Sequence, residues 1–173
     1  HLINMSRFIN KHLEITFQFF SDKECKWLID FHKKNYLRLS SDLNYTHNGT
    51  EVINISKMDH HRFKFIESRL SYHIKKEFDY MAYPNYFELV RWPTNSSQAL
   101  HKDFEEHVYT SIIYLNNDFE GGQTVVAGKK IDPYPGRMVT FKGNLLEHKV
   151  LEVTKGVRYT IPVWYMVYDE PDY

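Results

Sequence analysis

The sequence has one cysteine, Cys25, among 173 residues. A disulfide framework is therefore impossible, and a zinc site built from several cysteines is excluded. A lone free cysteine belongs in the core, where it behaves as a small apolar residue. Long hydrophobic runs are missing too: nothing approaches the roughly 20 apolar residues of a membrane span. The leading stretch HLINMSRFIN lacks the apolar segment of a signal peptide. Neither charge is in excess, with 22 Lys plus Arg against 22 Asp plus Glu. A neutral chain exerts no long-range pull on a polyanion, so neither nucleic acid nor membrane is expected as a partner. These absences suit a reducing, cytoplasmic setting. The chain opens on His1 rather than Met. Residues 1–4 are then foreign to the native start, or the chain is a piece of a longer one; Met5 offers a native start.

The length fits a single domain over residues 1–173, which buries about 70% of its unfolded surface. Aromatic residues make up 16% of the chain, which suits β-rich cores and stacking surfaces alike. There are no repeats, low-complexity tracts or linkers. Ser21-Asp22-Lys23-Glu24 reads as a capping box. It predicts a helix to about Asn35, with Cys25, Leu28, Ile29 and His32 at helical spacing. SSDLNYTHNGT, residues 40–50, is rich in turn formers and reads as a loop. A second helix is predicted from Ser56, with Phe63, Ile66, Leu70, Ile74 and Phe78 as its apolar stripe. His60 and His61 at its start are expected to face solvent. From Tyr86 the pattern changes to short extended runs: YFELVRW, HVYTSIIYLN, GGQTVVAG, GRMVTFKG and VRYTIPVWYMVY. Val, Ile, Thr, Tyr and Phe dominate them, with Gly and Pro between. Tyr134-Pro135-Gly136-Arg137 predicts a type II turn. Gly121-Gly122 reads as a turn or bulge. Residues 1–85 are thus expected to be helical support and residues 86–168 a β core, a mainly β sandwich with helices packed on one side.

The stretch HKDFEEH, residues 101–107, crowds two histidines and three acids together. As a strand it places His101 and Asp103 on one face, where an imidazole and a carboxylate can share a divalent metal. His107 has the same parity but lies about 13 Å beyond Asp103 at strand rise, too far for the same ion unless the chain turns. As a helix it would pair His101 with Glu105 instead. A third ligand has to come from another element. His148, in LLEHKV, and Arg158, in GVRYTIPVWY, follow at a distance.

The order histidine–x–aspartate, distant histidine, then arginine resembles the Fe(II)- and 2-oxoglutarate-dependent dioxygenases, in their prolyl 4-hydroxylase-like branch. The motifs Tyr114-Leu115-Asn116 followed by GGQT, IDPYPGRMVTFKG, and Arg158-Tyr159 followed by Val163-Trp164-Tyr165 extend the likeness over residues 86–166. FFSDKECKWLI is similar, more weakly, to the branch's leading helix. Trp92 stands where the branch usually has tyrosine, Asn95 where it has glycine, and Gln123 where it has glutamate.

The resemblance implies a double-stranded β-helix (jelly roll) over residues 86–168, buttressed by two helices. It implies Fe(II) held by His101, Asp103 and His148, three protein ligands that leave positions open. It implies 2-oxoglutarate with its distal carboxylate on Arg158, whose fork matches a carboxylate, and on Tyr114. Trp164 would flank the iron pocket, and residues 40–50 would offer a lid over the substrate. Ascorbate enters as an accessory reductant. The implied reaction is hydroxylation of a C–H bond, with a prolyl residue in a peptide or protein as the first substrate expectation. The same chemistry on a free amino acid, another side chain or a small metabolite stays open. So does a non-catalytic metal-binding jelly roll. The nucleic-acid demethylases of the same superfamily resemble R-x5-R after the last histidine; here the second position is Trp164.

Overall fold

The computed structural model describes residues 5–168; residues 1–4, ahead of the expected start at Met5, lie outside the described residues. In chain order the elements are β1 (Ser6–Asn10), β2 (Leu13–Thr16), α1 (Asp22–Asn35), β3 (Asn44–His47), β4 (Thr50–Ile53), α2 (His61–Phe78), β5 (Ala82–Phe87), β6 (Leu89–Trp92), β7 (Gln98–His101) and β8 (Tyr109–Tyr114). Then come β9 (Glu120–Gly121), β10 (Thr124–Val126), β11 (Lys129–Ile131), β12 (Met138–Phe141), β13 (His148–Val150), β14 (Val153–Lys155) and β15 (Arg158–Val167).

The long strand β15 organises the fold. It pairs antiparallel with β8 on one side and with β6 and β5 on the other. The large sheet runs β1-β2-β12-β8-β15-β6-β4-β3, and a smaller one runs β11-β10-β13-β7. Alternation along the strands divides the large sheet into two faces. Ile113, Ile161, Val163, Tyr165 and Phe87 turn outward onto the helices, where Cys25, Leu28, Phe63, Leu70 and Ile74 complete the main core. Leu13, Tyr114, Val126, Ile131, Val139 and Phe141 form a second core between the sheets. The remaining inward residues line an open mouth. This is the expected jelly roll with two helices on one side.

The capping box is present: the Ser21 hydroxyl accepts from the N–H of Glu24, and the Glu24 carboxylate accepts from the N–H of Ser21. The type II turn holds as well, with Gly136 at φ +87° and Arg137 N–H donating to Tyr134 O at 3.0 Å. Three expectations need correction. The first half is not only helical, since β1 and β2 and the hairpin β3–β4 extend the large sheet. These strands have four or five residues, β1 and β3 largely exposed and β2 and β4 largely buried, too short for alternation to stand out. Residues 40–50 accordingly hold β3 and a turn rather than an irregular loop. The second helix begins at His61 and not at Ser56. Ile55–Lys57 make a 3-10 turn, the Ser56 hydroxyl bonds to Asn54 Oδ1, and His60 is the cap, its Nδ1 accepting from Arg62 N–H at 3.1 Å.

Candidate active site

Strand β7 ends at His101, and the chain turns at Glu105 and Glu106, where His107 N–H donates to Phe104 O at 3.0 Å, rather than continuing as a strand to His107. Register pairs His101 with His148 across β7 and β13. The ring centroids stand 4.2 Å apart. Asp103 Oδ1 lies 3.6 Å from His101 Nε2 and 3.2 Å from His148 Nε2. One ligand atom from each of the three falls within 4.8 Å of the others.

The tautomers follow from the neighbours. His101 Nδ1 is 2.8 Å from Ala99 O, and His148 Nδ1 is 2.9 Å from Leu146 O. A carbonyl only accepts, so each Nδ1 carries the proton and each Nε2 presents a lone pair. Two lone pairs and a carboxylate then face one another, an arrangement that requires a cation between them. Burial alone would raise the Asp103 pKa, but when a proton on each Nε2 stands in for that cation, hydrogen bonds from His101, His148 and Thr110 outweigh it and hold the carboxyl well below its usual range. The His101 pKa is raised, first by its bond to Asp103.

Two residues that sequence reasoning missed set the carboxylate. The Thr110 hydroxyl donates to Asp103 Oδ2. Gly143 O accepts from Asp103 N–H at 2.9 Å, and a Cβ on Gly143 would overlap both Asp103 Oδ2 and Thr110 Oγ1. Thr110 shares inward parity with Ile112 and Tyr114, the one signal that marked it.

Arg158, at the start of β15, is 1% exposed. Its Nη2 donates to Thr124 Oγ1 at 2.9 Å, while Nε and Nη1 have no partner. The guanidinium carbon lies 4.6 Å from the Trp92 ring and 5.4 Å from that of Tyr114. Burial draws its pKa down to about 10, against the pull of Tyr114, so it stays charged at neutral pH. A buried cation with two orphaned donors at a cavity wall calls for an anion. Register pairs His148 with Val126, and Thr124 lies two positions away on the same strand, roughly 7 Å at strand rise. A five-carbon diacid spans that interval.

Tyr114 departs from its expected role. Its hydroxyl donates to Ile131 O at 2.7 Å and accepts from Thr124 N–H at 2.8 Å. The single proton is committed to a carbonyl, so Tyr114 positions β10 and Thr124 behind the arginine rather than offering a donor to a ligand. Trp164 lines the cavity and stacks on Tyr86, with centroids 4.5 Å apart. It pairs in register with Thr110, so it flanks the histidine–aspartate cluster and stands far along β15 from Arg158. His107 is buried between Phe104, Tyr86 and Trp164 and lies outside the cluster. Asn95 has φ +75°, a left-handed conformation that Asn tolerates and Gly adopts freely. Gly121 and Gly122 also have positive φ, and a Cβ on Gly121 would overlap Glu152 O. The cluster and Arg158 open on one cavity of about 400 Å³. Tyr45, His47 and Thr50 of the β3–β4 hairpin line it as well.

Comparison with solved structures gives the fold. The fold matches that of the viral collagen prolyl hydroxylase of Paramecium Bursaria Chlorella virus-1, in complex with 2-oxoglutarate. The TM-score is 0.74 and the identity 19%, over 91% of this chain and 97% of that one. It also matches a Trichoplax adhaerens prolyl hydroxylase in complex with a hypoxia-inducible-factor peptide fragment, with TM-score 0.67 and identity 17%, over 91% and 84%. The fold is therefore the jelly roll of these prolyl hydroxylases. In sequence, the chain is 39% identical over 67 residues to human prolyl 3-hydroxylase 2, covering 33% of this chain and 9% of that protein. No protein-family profile matches the chain.

Proposed function

We propose that the protein is an Fe(II)- and 2-oxoglutarate-dependent dioxygenase that hydroxylates a prolyl residue in a peptide or protein. One observation carries the reading. Two imidazole lone pairs and a carboxylate converge at one end of a cavity, and a buried arginine with two orphaned donors faces it at the other.

In this reading His101, Asp103 and His148 hold Fe(II), a ligand set typical of non-haem iron oxygenases. Bound iron with 2-oxoglutarate supplies the oxidation: one atom of dioxygen enters the substrate C–H bond, the other enters succinate, and CO2 leaves. The protein's share is placement. Arg158 holds the distal carboxylate with Nε and Nη1 while Thr124 fixes its third nitrogen. Thr110 and Gly143 fix the face that Asp103 presents. Ala99 and Leu146 hold the imidazole protons away from the metal side. The aromatic walls Tyr86, Trp92 and Trp164 exclude water and offer flat apolar faces to a pyrrolidine ring. The β3–β4 hairpin, whose Tyr45 and His47 line the cavity, would serve as the lid.

The prolyl substrate draws support from the neighbours, one of which carries a peptide. Ascorbate and a cytoplasmic setting belong to the same proposal; the buried lone thiol of Cys25 suits a reducing compartment. Among the described residues no helix is long and apolar enough to cross a membrane. The test is 2-oxoglutarate consumption with Fe(II) and oxygen, with and without proline-containing peptides. Peptide-stimulated consumption that a chelator abolishes supports the proposal. Metal binding without consumption under any condition points instead to a binding domain.

A further inference from the structure

The large sheet also turns a carboxylate into the cavity that the reaction above does not use. Glu88 sits between β5 and β6, where β15 passes its pairing from one to the other; its N–H donates to Pro162 O at 3.1 Å. The residue lines the cavity and is 5% exposed. Its Oε2 accepts from the Tyr45 hydroxyl on the hairpin. Its Oε1 takes no hydrogen bond among the described residues and is not sealed from the cavity.

No cation of the protein pairs with Glu88 among the described residues. Arg158 begins β15 four positions before Pro162, roughly 13 Å away at strand rise. His101 and His148 are turned to Asp103. A buried carboxylate without a counter-ion is costly until a ligand brings one. Burial accordingly pushes the Glu88 pKa up, against the Tyr45 hydrogen bond. Two positions before it, on the same face, the stacked rings of Tyr86 and Trp164 stand beside the carboxylate, and aromatic faces favour cations.

We infer that the Glu88 carboxylate forms a subsite for a cationic group of the substrate, an ammonium or guanidinium next to the residue that is oxidised. The identity of the oxidised residue rests on the proposed function; the preference for a cation does not. Such a substrate is a basic peptide segment, with arginine or lysine beside the reacting position.

The test is affinity selection read by mass spectrometry, on protein loaded with Mn(II) and 2-oxoglutarate. The probes are proline-centred peptides flanked by arginine, lysine, citrulline or glutamate. Arginine and lysine peptides are expected to be enriched at least about tenfold over citrulline ones, the scale of one charge-assisted hydrogen bond. Glu88→Gln loses that enrichment; Tyr45→Phe, which leaves the carboxylate, keeps it. Equal capture of citrulline and arginine peptides overturns the subsite, as does capture of none, or enrichment that survives Glu88→Gln. Calorimetry of Mn(II) and 2-oxoglutarate binding separates the two readings. A protein that binds both yet ignores peptide charge loses the subsite and keeps the dioxygenase. One that binds neither loses the dioxygenase, and charge selection is then read on the unloaded protein.

Discussion

His101 and His148 are partners across an antiparallel strand pair, 47 residues apart in sequence and 4.2 Å apart between ring centroids. The histidine–aspartate cluster is therefore a property of sheet register. A slip of one residue in β13 would turn His148 to the opposite face. His148→Ala is expected to abolish metal binding and activity, whereas His107→Ala, outside the cluster, keeps metal binding. Equilibrium dialysis with Mn(II) decides between them, and the opposite pattern would reassign the ligand.

In the proposed reading Thr110 acts on the metal through Asp103. Thr110→Val keeps the volume but removes the hydroxyl that donates to Oδ2. Metal affinity should fall about 10- to 100-fold, the usual cost of losing an outer partner of a ligand. Thr110→Ser should restore most of it. Unchanged affinity in the valine variant would show that Gly143 and the histidines alone orient the carboxylate.

Arg158→Lys replaces two parallel donors by a point charge on a more flexible stem. Binding of 2-oxoglutarate, measured anaerobically by calorimetry, should weaken about 10- to 100-fold, the scale of losing one charged hydrogen bond. Tyr114→Phe should weaken it less, because it acts through Thr124. The reverse order would return the tyrosine hydroxyl to direct contact with the ligand.

Away from the site, Glu14 is fully buried and pairs with His73 at 2.5 Å, with Oε2 left without a partner. His73→Leu strands that carboxylate and should cost about 3–5 kcal/mol in urea unfolding. The double variant Glu14→Leu with His73→Leu should recover most of the loss. A single variant as stable as the parent would mean that the Glu14–His73 pair contributes nothing to stability.

The Cys25 thiol is pushed up to about 12, chiefly by burial and then by Asp22 and Glu24. Folding therefore favours its protonated form. Its contribution to stability is complete below the thiol's ordinary pKa and is lost as pH rises toward 12. Native protein should resist iodoacetamide at pH 8, and Cys25→Ala should flatten the fall of melting temperature between pH 9 and 11. Rapid alkylation of folded protein would contradict this.

The sequence made the site more legible than the scaffold. His101, Asp103, His148 and Arg158 carry side chains whose chemistry is rare in combination, so their order alone suggested one cavity. Thr110, Thr124 and Glu88 matter only through which sheet face they occupy, and parity along an undefined strand does not reveal that. Tyr114 was legible as a position but not as a role, because its partner Ile131 O is a backbone atom. The short strands β1 to β4 escaped notice because four or five residues, largely exposed in β1 and β3 and largely buried in β2 and β4, show no clear period. Helix α1 was plain from its capping box, whereas α2 is capped by a histidine ring, which no common start signal includes.

The most direct test of the account is reaction under ¹⁸O-labelled dioxygen, with mass spectra of both products. One labelled oxygen is expected on a prolyl residue of the peptide and one in succinate, formed in equal amounts. Labelled succinate with an unmodified prolyl peptide, across basic and neutral peptides alike, would contradict the prolyl assignment. Absence of succinate from protein with iron and 2-oxoglutarate bound would contradict the dioxygenase itself.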